Sequence, residues 1–216
     1  MASVPIKPEY GPTLGRLLSP RWNAASPFTR WLVRAGAVGL IALLVGVFLT
    51  LENAHYSHDG SLPFSFSYRG LYRVAPDRGG YVKLERHSAD GPLLDSFAVE
   101  PLTLPPYTGG QTGELALYSA AYIQHLRASD RDFVLRGEGK TRVNTVPAYQ
   151  VVYTTTVGGQ EMYGRNVLLL RQRPRARRGV NIVMLTSPTA NAQVTSPMEV
   201  ASEGVLLRAV KTFTLG

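Results

Sequence analysis

The chain has 216 residues, 44% of them apolar and 18% charged, a balance that suits one globular domain beside one membrane span and argues against disorder of the main body. The absence of cysteine excludes disulfides, thiolate metal sites, cysteine nucleophiles and a lipid-modified N-terminal cysteine. Half of the net charge of +8 lies before residue 52, and the other half comes from one arginine-rich loop in an otherwise slightly acidic remainder. A nucleic-acid binder spreads its cations over a helix or sheet surface, so no nucleic-acid partner is expected.

Residues 1–30 carry Pro5, Pro8, Pro12, Pro20 and Pro27, spaced closely enough to prevent a helix over most of the segment, and are expected to form a disordered basic cytoplasmic tail. Residues 31–51 follow as a transmembrane anchor. Seventeen of these, 35–51, carry no charge. At ~1.5 Å per residue they span about 25 Å, and Trp31 to Arg34 at the interface extend this toward the ~30 Å of a hydrocarbon core. A cleaved signal peptide has a shorter apolar run and small residues after it, whereas Phe48, Leu49, Thr50, Leu51, Glu52, Asn53 make a poor cleavage site. Arg16, Arg21, Arg30 and Arg34 on one flank, against Glu52, Asn53, His55 and Asp59 on the other, put the N-terminus in the cytoplasm and the C-terminal domain outside. Ala35, Gly39, Ala42 and Gly46 fall on one helical face, the small-residue pattern that lets two membrane helices approach.

Residues 52–62 read as a polar spacer and 63–216 as the exported domain. Phe64, Phe66 and Tyr68 alternate with serines as a half-buried strand. Further strands are expected over 71–74, from Tyr81, and through Phe97, Val99 and Pro101. From 112 to 128 the period changes, with Leu115, Tyr118, Tyr122 and Leu126 on one face of a helix and Ile123 beside them. Strands return over 133–136, 148–156, 161–170 and 180–185, with Gly158-Gly159 as a hairpin turn. Ser196-Pro197-Met198-Glu199 announces a last helix running to about Lys211, with Gly204 a weak point. Strands, helix, strands, helix argue α+β, an antiparallel sheet with helices packed on it.

The stretches 64–74, Phe97-Ala98-Val99-Glu100-Pro101, Val146-Pro147-Ala148-Tyr149 and 206–213 together resemble the PsbP-like fold, named for an extrinsic subunit of photosystem II. Leu71-Tyr72 departs from that pattern, where a Gly-Trp or similar pair is expected. The resemblance implies an α/β/α sandwich that serves as a binding or assembly module and not as an enzyme. It carries over no metal ligands and no cofactor.

No constellation identifies a reaction. Gly137-Glu138-Gly139-Lys140-Thr141 lacks the leading glycine of a phosphate loop, and no serine sits in a Gly-x-Ser-x-Gly elbow. His55, His58 and Asp59 read as solvated spacer residues, His87 and His125 have no partner legible in sequence, and Glu85, Asp90, Asp95 and Glu100 read as surface carboxylates. Arg171, Arg173, Arg175, Arg177 and Arg178 at a hairpin tip are the candidate contact for an acidic protein partner, anionic lipid or wall polymer, because guanidinium forks pair bidentately with carboxylate and phosphate. The leading reading is a membrane-anchored extracytoplasmic binding or accessory module without catalysis. The alternatives are a domain holding a lipid or other apolar molecule between sheet and helix, and an anchored hydrolase.

Overall fold

The computed structural model describes residues 26–50, 53–76, 79–106, 108, 111–173 and 176–216. The expected tail up to residue 25, and Leu51, Glu52 and Arg175, lie outside the described residues. The chain divides into two units, Met1–Leu49 and Thr50–Gly216.

Helix α1, Pro27–Thr50, belongs to the first unit in all but its last residue. It starts four residues before Trp31, so the expected tail does not extend to Arg30. Proline is tolerated at a first helical position because no backbone N–H is needed there, and Ser26 Oγ accepts the Thr29 N–H at 3.2 Å. Its stretch Pro27–Val47 has a mean hydropathy of 1.7 and is long and apolar enough to cross a membrane.

The second unit begins with a strand where a spacer was expected. β1, Asn53–His58, pairs antiparallel with β2, Phe64–Arg69. The polar residues of this segment hide a two-residue period: Tyr56 stands opposite Phe66 and His58 opposite Phe64. The Tyr56 ring packs 5.5 Å from Phe66 and 6.0 Å from Phe64. β2 is also paired with the last strand, β10, Thr214–Leu215, which completes a three-stranded sheet.

The larger sheet has seven antiparallel strands in the order β3-β4-β5-β9-β8-β7-β6. They are β3 Arg73–Ala75, β4 Val82–His87, β5 Leu93–Thr103, β6 Val134–Val143, β7 Val146–Val157, β8 Gln160–Leu170 and β9 Arg178–Thr186. The β7–β8 hairpin turns through Gly158 and Gly159, both at positive φ (59° and 80°). A two-residue hairpin of this hand requires that conformation, which glycine adopts without steric cost. β6 runs through Gly137 and Gly139, where a break was expected; a register shift between Leu135 and Gly137 absorbs the irregularity. Helix α2, Gln111–Ser129, joins β5 to β6 across the sheet.

Both faces of the large sheet are covered, which is why residues 167–170 read as an unbroken apolar run. On one face, Phe97, Val167, Leu169, Ile182 and Met184 pack with Phe64 and Phe66 of β2 and with Leu206, Ala209 and Phe213. On the other, Leu102, Leu168 and Leu170 meet Leu115 of α2, and Val151 and Tyr153 meet Ile123 and Phe133. The fold is α+β, with helices on an antiparallel sheet.

The last expected helix is broken in two. A 3-10 turn over Pro197–Glu199 is separated from α3, Leu207–Lys211, by Ala201 and Gly204 at φ 60° and 73°. A Cβ on Gly204 would also lie 1.8 Å from Asn191 Nδ2, so the position has room only for glycine. The capping expected of Glu199 is present: its carboxylate accepts the N–H groups of Thr195 at 2.7 Å and Ser196 at 3.1 Å. The bonds from Thr195 and Ser196 hold its carboxyl below the ordinary range.

Candidate functional site

The arginine loop joins β8 to β9. The ladder ends at Leu170 opposite Gly179, where a Cβ would lie 1.8 Å from the Leu169 carbonyl oxygen. Arg173 N–H then donates to the Arg171 carbonyl at 2.8 Å and Ala176 N–H to the Arg173 carbonyl at 3.0 Å, curling the tip. Among the described arginines of the loop, Arg171 stands apart from the others. Arg171 turns back and donates from Nε to the Gly216 carbonyl at 2.8 Å, because a free acceptor stands beside it. Arg173, Arg177 and Arg178 are exposed. In α1, Ala35, Gly39, Ala42 and Gly46 share one face of an unbroken helix, and a Cβ at Gly39 or Gly46 meets nothing within 4 Å.

His55, His58 and His87 are engaged locally. His58 packs 5.1 Å from the Phe64 ring and 4.6 Å from Tyr81, and Asp59 accepts from Ser57 Oγ at 3.1 Å. Among the described residues no three histidine or carboxylate side chains are grouped to hold a metal ion. His87 has two partners: Nε2 lies 3.1 Å from Glu85 Oε2, and Nδ1 lies 2.9 Å from the Gly91 carbonyl. Both partners are acceptors, so the ring satisfies both only as the imidazolium. The bond to Glu85 and the bond to Gly91 raise its pKa above the ordinary value. Ser88 is adjacent, but neither ring nitrogen is left to take its proton, so this group is not a serine–histidine relay. Burial pushes the Glu85 carboxyl up, and hydrogen bonds from Lys83 and His87 outweigh that and hold it low.

Two buried polar groups were not legible as such. The first is an ion pair on the β2-facing side of the sheet. Arg86 Nε donates to Asp95 Oδ2 at 2.6 Å, Thr186 donates to Asp95 Oδ1, and the Asp95 side chain is fully buried. Asp95 is therefore no surface carboxylate. It also lies on the opposite face from Glu100, five residues along the same strand, so the two cannot act as a pair. The second lies under α2. Tyr122 accepts from Asn166 Nδ2 at 2.6 Å and from Asn181 Nδ2 at 3.1 Å; Asn181 also donates to Glu100 Oε2 at 3.1 Å, and Tyr153 donates to Asn166 Oδ1 at 3.1 Å. Burial pushes the Tyr122 hydroxyl up to about 12 and raises that of Tyr153 as well. The signal that could have located this network is the pair of amides, Asn166 and Asn181, set within the apolar runs of β8 and β9. The space between α2 and the sheet, where one expectation placed a lipid, holds this network and the side chains of Leu115, Ile123, Leu168 and Leu170.

No protein-family model matches the chain, and no curated protein sequence matches it. Solved structures do. Cyanobacterial PsbP (CyanoP) from Synechocystis sp. PCC 6803 superposes with a TM-score of 0.51 at 15% identity, over 77% of this chain and 94% of that one. LpqN of Mycobacterium tuberculosis, described as involved in cell envelope biogenesis, gives a TM-score of 0.45 at 10% identity, over 76% and 91%. A protein of unknown function from Pseudomonas aeruginosa, PA94, described as a putative regulator, gives 0.39 at 13% identity, over 64% and 85%. The likeness to CyanoP is one of fold, and the strand-rich part of this chain has the PsbP-like fold.

Proposed function

We propose that this protein is anchored by α1 as a single membrane span and that its β-rich domain works on the extracytoplasmic side as a binding or accessory module, through protein or envelope contacts and without catalysis. The supporting observation is the apolar stretch Pro27–Val47, which precedes the domain in sequence and has cationic residues toward its N-terminal end only. The buried polar side chains are engaged inside the fold, Asp95 with Arg86 and Thr186, and Asn166 and Asn181 with Tyr122, which suits a scaffold better than a reaction centre. A reporter fused after Gly216 is expected to be active only when exported; activity confined to the cytoplasm reverses the orientation. Crosslinking of the full chain in its native membranes is expected to recover a protein partner, and repeated recovery of the chain alone removes the accessory reading.

The exposed arginines of the β8–β9 loop are the first contact surface proposed, for an acidic partner, anionic lipid or wall polymer. Changing Arg173, Arg175, Arg177 and Arg178 to glutamine, with Arg171 kept for its bond to Gly216, is expected to weaken association and flatten its salt dependence. Added salt weakens attraction between exposed charges, with a screening length of ~10 Å at 0.1 M, so an unchanged salt profile in the variant excludes the loop. The small-residue face of α1 is the second surface proposed, for another membrane helix.

A further inference from the structure

The edge of the large sheet carries a group of charges that the scaffold does not neutralise. Lys83, Glu85 and His87 stand at two-residue spacing along β4, and Arg73 of β3 lies directly opposite Glu85. Cross-strand Arg73 and Glu85 would be the ordinary ion pair. Both carboxylate oxygens are already committed: Oε1 to Lys83 Nζ at 2.7 Å and Oε2 to His87 Nε2 at 3.1 Å. The Arg73 side chain makes no hydrogen bond or ion pair to any described residue. Its guanidinium stands at a groove of about 420 Å³ lined by Leu71, Arg73, Glu85, His87, Ser88 and Ala89.

Three cationic side chains thus share one carboxylate when His87 is protonated. We infer that this groove is an oxyanion site, taking a carboxylate or phosphate group on the Arg73 fork. A planar guanidinium recognises either group through two parallel N–H···O bonds. Ser88 lines the same groove and supplies a hydroxyl. His87 contributes charge and not a hydrogen bond, since its two nitrogens are spent on Glu85 and the Gly91 carbonyl. Its second bond also ties the β4–β5 turn, where Ser88 N–H donates to Pro92 O at 2.9 Å and Gly91 N–H to Ser88 O at 3.1 Å. One groove wall is therefore built on the imidazolium.

The charged groups facing His87 are Glu85 on its own strand, Lys83 beyond it and Arg73 from β3. Glu85 holds the ring's proton and Arg73 opposes it, with the balance toward the charged form. The folded-state value is raised, so protonation favours the folded turn. That stabilisation is fully present below the unfolded pKa and is lost as pH rises through the folded one. Oxyanion affinity follows the same course, strong on the acid side and weaker above the folded pKa of His87. This site is independent of the membrane reading and of the arginine loop.

The test uses the full chain in nanodiscs of uncharged phospholipid, with 15N-labelled arginine and histidine side chains, at constant ionic strength. Inorganic phosphate and a tetraglutamate peptide are titrated in separate arms. Saturating shifts at Arg73 and His87 are expected, and the arm that saturates at lower concentration identifies phosphate or carboxylate as the better fit. Arg73→Gln is expected to weaken binding by about tenfold or more, the scale of a charge-assisted hydrogen bond, and wild-type affinity is expected to fall between pH 5.5 and pH 8.5. The Arg73 side chain is exposed and bonded to nothing described, so the variant should keep the wild-type melting temperature; Arg73→Lys, which retains charge without the fork, should bind with intermediate affinity. Linear, unsaturated shifts in both arms overturn the proposal, as does saturation that is identical in the wild type and in Arg73→Gln.

Discussion

Replacing Asp95 by alanine is expected to destabilise the domain by about 3–5 kcal/mol, because it leaves the Arg86 guanidinium without its anion in a largely buried place. The geometry sets this scale. The carboxylate is fully enclosed, one oxygen receives Arg86 and the other receives the Thr186 hydroxyl. Tyr72 packs nearby with its hydroxyl pKa raised by burial first and by the Asp95 charge second. The pair as a whole is worth much less than either half. Removing both ions, with Arg86→Met and Asp95→Leu together, should recover most of the loss, since the desolvation cost disappears with the attraction. Urea unfolding of the detergent-solubilised chain, followed by the near-ultraviolet circular dichroism of the tyrosines, measures both. A single substitution costing under about 1 kcal/mol, or a double variant no better than the single one, rules out this account.

Phe66→Ala is the second large effect, at about 3–5 kcal/mol, the range for emptying a buried aromatic site. Phe66 is completely enclosed, with ring centroids of Phe97 at 4.8 Å, Tyr56 at 5.5 Å and Phe213 at 6.1 Å. These neighbours come from β5, β1 and the segment just before β10, so this one ring couples the three-stranded sheet to the seven-stranded one. The loss should be unevenly distributed. Amide exchange should accelerate first in β1 and β2, while β7 and β8, held by a separate hairpin and by α2, keep their protection. Phe66→Leu, closer in volume, is expected to cost less than half as much. Uniform acceleration across both sheets would show that the two layers unfold as one unit and that Phe66 is not their coupling point.

Much of this architecture could be read from local pattern. The helix over 111–129 showed itself through Leu115, Tyr118, Tyr122 and Leu126, and the β7–β8 hairpin through two adjacent glycines. β1 escaped because its alternation is carried by Tyr56 and His58 among small polar residues, and their burial depends on β2, which comes later in the chain. The last helix failed for a different reason. Its start signal was correct, but Ala201 and Gly204 adopt the left-handed conformation and interrupt it, and Asn191, thirteen residues upstream, leaves room only for glycine at 204, a contact that no local propensity reports. The sites divide in the same way. Lys83, Glu85 and His87 alternate along one strand, so their common face follows once β4 is placed. Glu100, Tyr122, Asn166 and Asn181 meet only through the tertiary fold, and Arg171 departs from its neighbours because the Gly216 carbonyl lies beside it.

The network under α2 has a consequence for how the helix is placed. Leu115, Ile123 and the apolar strand residues beneath them offer contacts that are broad and nearly interchangeable, and such surfaces tolerate sliding. The Tyr122 oxygen does not. It meets Asn166 and Asn181 at one point on the sheet, and a shift of one turn, ~5.4 Å, would take the oxygen from both and strand the buried Asn166 amide at a cost of about 1–3 kcal/mol. The hydroxyl works as an index pin: the apolar layer supplies adhesion, and this single oxygen selects the one axial setting at which the helix locks.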